Sequence, residues 1–257
     1  MQILADIIAS LPDGEVENVF IGLHWTAVVV RTGCERRCGL AATLREEHGK
    51  IGKPDVPDAG NLTRFTALQL AQFVLTSKGA LGSIGMAAIN ALLPQFPDSW
   101  IDCNANEMIL KYGKNKRVAL IGHFSFVDDL RSKLDSLTVL EQKPQSGDLP
   151  AEAAPEILPM ADVVAITGMT LTNHTLEGLL ALCSPSALVM ILGPSTPLSP
   201  LLFDRGVNLL SGVVVTEPDP VIRALMEGAN FRQIRRVGAR LVTMVRDKTV
   251  FNLDYPD

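Results

Sequence analysis

Four short clusters of small and polar residues end apolar runs in the C-terminal half of this 257-residue chain. They are Gly122-His123-Phe124-Ser125, Glu141, Thr167-Gly168-Met169-Thr170-Leu171-Thr172-Asn173-His174-Thr175, and Gly193-Pro194-Ser195-Thr196-Pro197. Gly122 would let the main chain approach a ligand, and His123 has the chemistry of an acid, a base or a metal ligand. Glu141 follows Gly122 by 19 residues, near the offset at which a carboxylate accepts from a ribose hydroxyl. Thr170, Asn173, Ser195 and Thr196 fall where helices should start, a setting that favours anions. The same residue types also serve as plain helix N-caps.

The clusters need elements to hold them together, and the hydrophobic rhythm supplies these. Before about residue 112 the pattern predicts a helix over 4–11 and strands over 16–23, 25–31 and near 39–44. It then predicts a helix over 65–77, a break at 79–82 and a helix over 83–93. From residue 116 strand and helix alternate. Strands are expected over 117–122, 137–141, 162–168, 187–193, 209–215 and 239–245. Helices are expected over 126–134, 156–160, 175–183, 198–203 and 220–233. Continuous apolar strands such as VALIG, DVVAIT and ALVMILG suit a parallel sheet covered on both faces. The expectation is therefore an α/β protein: an α+β domain over 1–110, then a Rossmann-like, doubly wound, mostly parallel sheet over 111–257. Right-handed crossovers would bring all four clusters to the carboxyl edge of that sheet. Polar groups of the first segment, at Trp25-Thr26, around Asn90 and at Asn104–Glu107, are candidates for the same cleft. Asn90 stands within a helical pattern, where a buried amide needs partners.

Several function classes lose support. Net charge is −5 with 20% charged residues and no basic block, so a nucleic-acid partner is not expected. No apolar run reaches the roughly 20 residues that span a bilayer, and Asp6 interrupts an N-terminus without a basic lead-in, unlike a signal peptide. The reading is a cytoplasmic chain. No G-x-G-x-x-G follows the first strand of the second segment, and no phosphate loop or G-x-S-x-G elbow occurs. Cys34 and Cys38 form C-x3-C, a spacing open to two thiolate metal ligands or to two reduced thiols beside a turn. His24, His48, His123 and His174 form no H-E-x-x-H pair.

GSIGMAAINALL, VALIGHF, LEQKPQSGDLP, DVVAITGMTLTNHTLEGLL and LVMILGPSTPLSPLLFDRGV, in that order, resemble the heavy-metal chelation family known as domain of unknown function 364. The resemblance implies an enolase N-terminal-like domain before the Rossmann-like one, a site between them, and a role linked to metal chelation. The positions matching the family are Asn90, Gly122, His123, Phe124, Glu141, Asp148, Thr167, Gly168, Thr170, Asn173, Thr175, Gly193, Pro194, Ser195 and Thr196. The expected ligand is a small polar molecule, a divalent metal or an adenosine-containing compound. His123, Glu141 and Asp148 are the first metal candidates, with Cys34 and Cys38 behind them. The alternative is an enzyme acting on a nucleoside-bearing or carboxylate substrate, with His123 moving a proton. A homodimer is the expected assembly, on the general frequency of symmetric dimers.

Overall fold

The computed structural model describes residues 1–44, 54–101 and 103–247. His48 lies outside the described residues. The first segment opens with helix α1 (Gln2–Ala9) and a three-stranded antiparallel sheet of β1 (Glu15–Ile21), β2 (Trp25–Thr32) and β3 (Glu35–Ala42). Strand β2 buries both faces, because successive side chains alternate. Val28 and Val30 join the core shared with the helices, while Ala27 and Val29 join a second cluster on the other side. Strand β3 begins earlier than its apolar residues predict. Its charged start, Glu35-Arg36-Arg37, is carried by ion pairs, among them one across the sheet to β1, Arg36 Nε to Glu17 at 2.6 Å.

Helices α2 (Ala67–Thr76) and α3 (Gly79–Leu92) follow. A capping box at Thr66 and Gln69 starts the first. The expected break at 79–82 lies instead at Ser77-Lys78. The glycines are inside α3, where Gly85 lets the two helices meet at main-chain distance: a Cβ there would sit 2.4 Å from Val74 N.

The second sheet has eight strands in the order β4-β11-β10-β9-β8-β5-β6-β7. They are β4 (Trp100–Ile101), β5 (Val118–Ile121), β6 (Leu137–Glu141), β7 (Leu149–Pro150), β8 (Val163–Thr167), β9 (Leu188–Leu192), β10 (Leu209–Val215) and β11 (Ala239–Val245). Strands β7, β6, β5, β8, β9 and β10 run parallel, and β11 closes on β10 antiparallel. Trp100–Ile101 adds an edge strand on β11, from a stretch whose two paired residues are too few to announce a strand. Helix α4 (Ala105–Gly113) was also unannounced by periodicity, and Asn104 caps it.

Helices α5 (Val127–Lys133), α6 (Ala154–Ile157), α7 (Met169–Thr172), α8 (Leu176–Leu182), α9 (Pro218–Met226) and α10 (Phe231–Arg235) make the remaining crossovers and turns. The single helix expected over 220–233 is two, because Asn230 and Gln233 form a capping box that starts a new helix. The stretch 198–203 forms a 3-10 turn over Pro200–Arg205.

One sheet face packs on the first segment. Ala119, Ile121, Val164, Ile166 and Ile191 share one continuous core with α1, α2 and α3. The other face, with Leu120, Ala165 and Met190, is covered by α4 and α5. The chain leaves β5 toward β6 on one side and later returns to β8 on its other side. A ligand crevice belongs at such a reversal, outside the strand carboxyl ends.

Candidate functional site

At the end of β5, Gly122 adopts φ +101, a left-handed conformation that side chains resist. Its N–H donates to Leu140 O on β6 at 2.9 Å, and a Cβ would meet Thr167 at 3.0 Å. The turn aims the next residue away from the strand path. The His123 N–H donates to Glu141 Oε2 at 2.8 Å, and Gln142 N–H donates to Oε1 at 2.7 Å. Glu141 therefore ties the ends of the first two strands of this half together.

The His123 ring is buttressed from behind. Nδ1 lies 2.8 Å from Asp148 Oδ2, and Arg131 Nη2 donates to Asp148 Oδ1 at 2.6 Å. Gln145 N–H donates to Oδ2 at 3.0 Å. The Asp148 side chain is 0% exposed, against 19% for His123. Burial opposes ionisation of Asp148, but the hydrogen bonds from Gln145 N–H, His123 and Arg131 outweigh it. The carboxyl is held below its ordinary range.

The third and fourth clusters close the opposite wall. Gly168 N–H donates to Leu192 O at 2.7 Å, and the Thr170 hydroxyl donates to Thr167 O at 2.7 Å. Asn173 Oδ1 accepts from both the N–H and the hydroxyl of Thr175. Ser195 Oγ accepts from Ala42 N–H at 2.9 Å, which fastens the loop after β9 to the edge of β3.

A cavity of about 360 Å³ lies between these walls, within the size range of small-molecule sites. Gly122, His123, Phe124, Glu141, Thr167, Gly168, Thr170, Asn173, Thr175, Gly193, Pro194 and Ser195 all line it. The structure does not bring Asn90 and Thr196 to this cavity. They line a smaller crevice beside Cys38 and Trp100. The Asn90 amide is satisfied by Leu40 O at 2.8 Å. Asp148 stands behind His123 rather than on the cavity wall. Sequence reasoning missed Ala42, Ala151, Ala154 and Leu179, apolar residues that line the cavity and have no distinguishing chemistry. It also missed Arg131, whose role appears only when α5 meets the loop before β7.

Among the described residues, no three His, Cys, Asp or Glu side chains gather to hold a metal ion. Glu141 and Asp148 each spend both oxygens on protein donors. Cys34 is exposed, while Cys38 is buried on β3 and its thiol is pushed up to about 12 by that burial. A thiolate pair at this hairpin does not fit. His174 Nε2 meets Val74 O at 2.5 Å, away from the cavity. No helix among the described residues is long and apolar enough to cross a membrane.

The fold and the cavity place the chain among α/β proteins with a doubly wound sheet, whose ligands gather at the carboxyl edge. The chain belongs to the DUF364 family, described as "Putative heavy-metal chelation", which matches residues 104–244. Residues 4–93 match DUF4213, which carries the same description. The chain is similar to an uncharacterized protein of Methanocaldococcus jannaschii, at 26% identity over 82% of each chain. It is also similar to the crystal structure of a DUF364 protein of unknown function from Desulfitobacterium hafniense DCB-2. That likeness has 30% identity, a TM-score of 0.80, and covers 95% of this chain and 98% of the other. A DUF364 protein from Pyrococcus horikoshii shares the fold at 22% identity and TM-score 0.77, with the same coverage.

Proposed function

We propose that the cavity binds a small organic ligand and that, in keeping with the family's chelation label, this ligand is a metal–organic complex. The observation that carries the reading is one cavity lined by the ends of β5, β6, β8 and β9 and by Trp25 and Ala42 of the small sheet. Its walls are mostly apolar, with polar groups contributed from each of these strand ends, the mixture by which small-molecule sites fix orientation. The protein offers too few free donors to chelate a bare ion there, so the organic part would supply most of them. In this reading the first segment is an enolase N-terminal-like wall and the Rossmann-like sheet is the floor. The protein works in the cytoplasm without nucleic-acid or membrane partners, with a homodimer as the assembly to test.

Native mass spectrometry of gently purified protein, set against its denatured mass, tests this reading. An excess mass containing both metal and organic matter is expected. It should be lost in Thr175→Trp, which places an indole at the exposed rim of the cavity. Excess mass retained in that variant, or a bare metal adduct, overturns the reading.

A second reading, an enzyme acting on a nucleoside-bearing or carboxylate substrate, draws on the position of Glu141 at the end of β6, beside the topological reversal. Glu141 Oε1 accepts the Gln142 and Lys143 N–H groups, whereas Oε2 accepts the His123 N–H alone and keeps a second lone pair for a ribose hydroxyl. If Glu141→Gln bound adenosine-containing compounds as well as the parent did, this reading would fall.

A further inference from the structure

A neutral imidazole has one N–H and one lone pair, and its partners decide which nitrogen carries which. The Asp148 side chain is buried and both its oxygens act as acceptors, Oδ1 from Arg131 Nη2 at 2.6 Å and Oδ2 from Gln145 N–H at 3.0 Å, and His123 Nδ1 lies 2.8 Å from Oδ2. A lone pair on Nδ1 would face a carboxylate oxygen with no proton between them. The proton of neutral His123 therefore belongs on Nδ1, which leaves the lone pair on Nε2. His123 lines the cavity, with its Nδ1 side turned to the buried carboxylate. Metal-bound histidines typically donate their other ring N–H to a carboxylate, which fixes the ring and raises its basicity.

We propose that His123 is locked as the Nδ1–H tautomer, and that its Nε2 lone pair binds the metal of a complex with one open coordination position. Asp148 and Arg131 are positioning residues that act through His123. This deepens the metal–organic reading above and rests on it. It adds that the cargo must arrive unsaturated, and that one protein nitrogen completes it. The remaining donors belong to the organic ligand, consistent with the lack of a three-residue metal cluster among the described residues.

The tautomer is testable without any ligand. Long-range proton–nitrogen NMR of the full chain with 15N-labelled histidine, at roughly pH 8 where an ordinary imidazole is neutral, should show one ring with a protonated Nδ1 and a bare Nε2. That signal should vanish in His123→Ala. In Asp148→Asn either amide orientation sets the NH2 against a donor that the carboxylate accepted, Arg131 Nη2 or Gln145 N–H, so the preference of His123 for the Nδ1–H tautomer should weaken. A wild-type His123 carrying its proton on Nε2 overturns the proposal outright.

The ligand class is tested with two zinc complexes of tripodal amines, one with an open coordination position and one saturated. Calorimetry should show the open complex binding more tightly to the parent. Its affinity should fall about 10–100-fold in Asp148→Asn, the usual effect of removing such a partner, with the thermal melt reporting that the variant is folded. Binding of the saturated complex should be unaffected. Equal binding of both complexes to the parent overturns the metal-ligating role. The native mass measurement judges the cavity reading separately.

Discussion

Replacing Gly39 by alanine would strike where the small sheet touches the central helix. Strand β3 lies against the backbone of α3 at this point. A Cβ on Gly39 would stand 2.1 Å from Ala87 O, 2.3 Å from Ala91 N and 2.8 Å from the Asn90 carbonyl carbon. Ordinary contact begins at 3.4 Å, so strand and helix must separate by more than an ångström. All three neighbours are main-chain atoms within a hydrogen-bonded helix, and none can swing aside as a side chain would. Overpacking of this kind costs about 1–3 kcal/mol, and rigid backbone on both sides puts Gly39→Ala near 3 kcal/mol. For a chain of this size each kcal/mol lowers Tm by about 2–4 °C, giving a fall of roughly 6–12 °C. The separation also strains the Asn90 amide bond to Leu40 O and the Ala42 N–H bond to Ser195 Oγ, so ligand retention should drop with stability. The assay is a thermal melt of parent and variant by circular dichroism. Gly178→Ala in α8 is the control, because nothing lies within 4 Å of its Cβ position. Relief of a helical glycine should raise stability by about 0.5–1 kcal/mol. A Gly39→Ala protein melting within 2 °C (roughly the effect of 0.5–1 kcal/mol) of the parent would refute the packing argument.

Two other predictions use titrating groups. The hydrogen bond from the Arg117 side chain, joined by the Arg117 N–H, lowers the Asp162 carboxyl from 3.8 to about 2. A depressed folded-state value gives stability that is present above the ordinary carboxylate range and is lost as pH falls through the folded value. The stability gap between parent and Asp162→Asn should therefore be constant at neutral pH and close between about pH 4 and pH 2; a urea-unfolding gap that does not change with pH would contradict this. Burial pushes the thiols of Cys38 and Cys183 up to about 12 and about 11, whereas Cys34 is exposed on the hairpin turn. Alkylation of the native protein at pH 8 should label Cys34 first, and Cys38 only on unfolding, as read by peptide mass spectrometry. A Cys34→Ser, Cys38→Ser protein should keep the metal content of the parent, and loss of that metal would restore the hairpin as a site.

The parallel sheet was legible because its central strands β5, β8 and β9 are apolar up to their last residue. VALI, VVAIT and LVMIL have no polar face to turn toward solvent, so both faces had to be covered. The polar clusters that follow these strands then had to leave the sheet at one edge. Strand β4 and helix α4 were not legible. Two residues carry no period, and α4 shows only a short buried face of Met108, Ile109 and Gly113.

Sequence alone determined the residue types at the strand ends, the apolar strands that carry them, and the 19-residue spacing of Gly122 and Glu141. These are local properties, set by side-chain period and by the short reach of a turn. Tertiary structure decided the rest. It turned Asn90 toward a carbonyl of β3, moved Thr196 behind the cavity wall, and gave Glu141 the task of holding main-chain N–H groups. It joined His123, Arg131 and Asp148, which lie 8, 17 and 25 residues apart in the chain. Hydrogen bonds and cavities depend on which crossover lands beside which, and no periodicity along the chain encodes that.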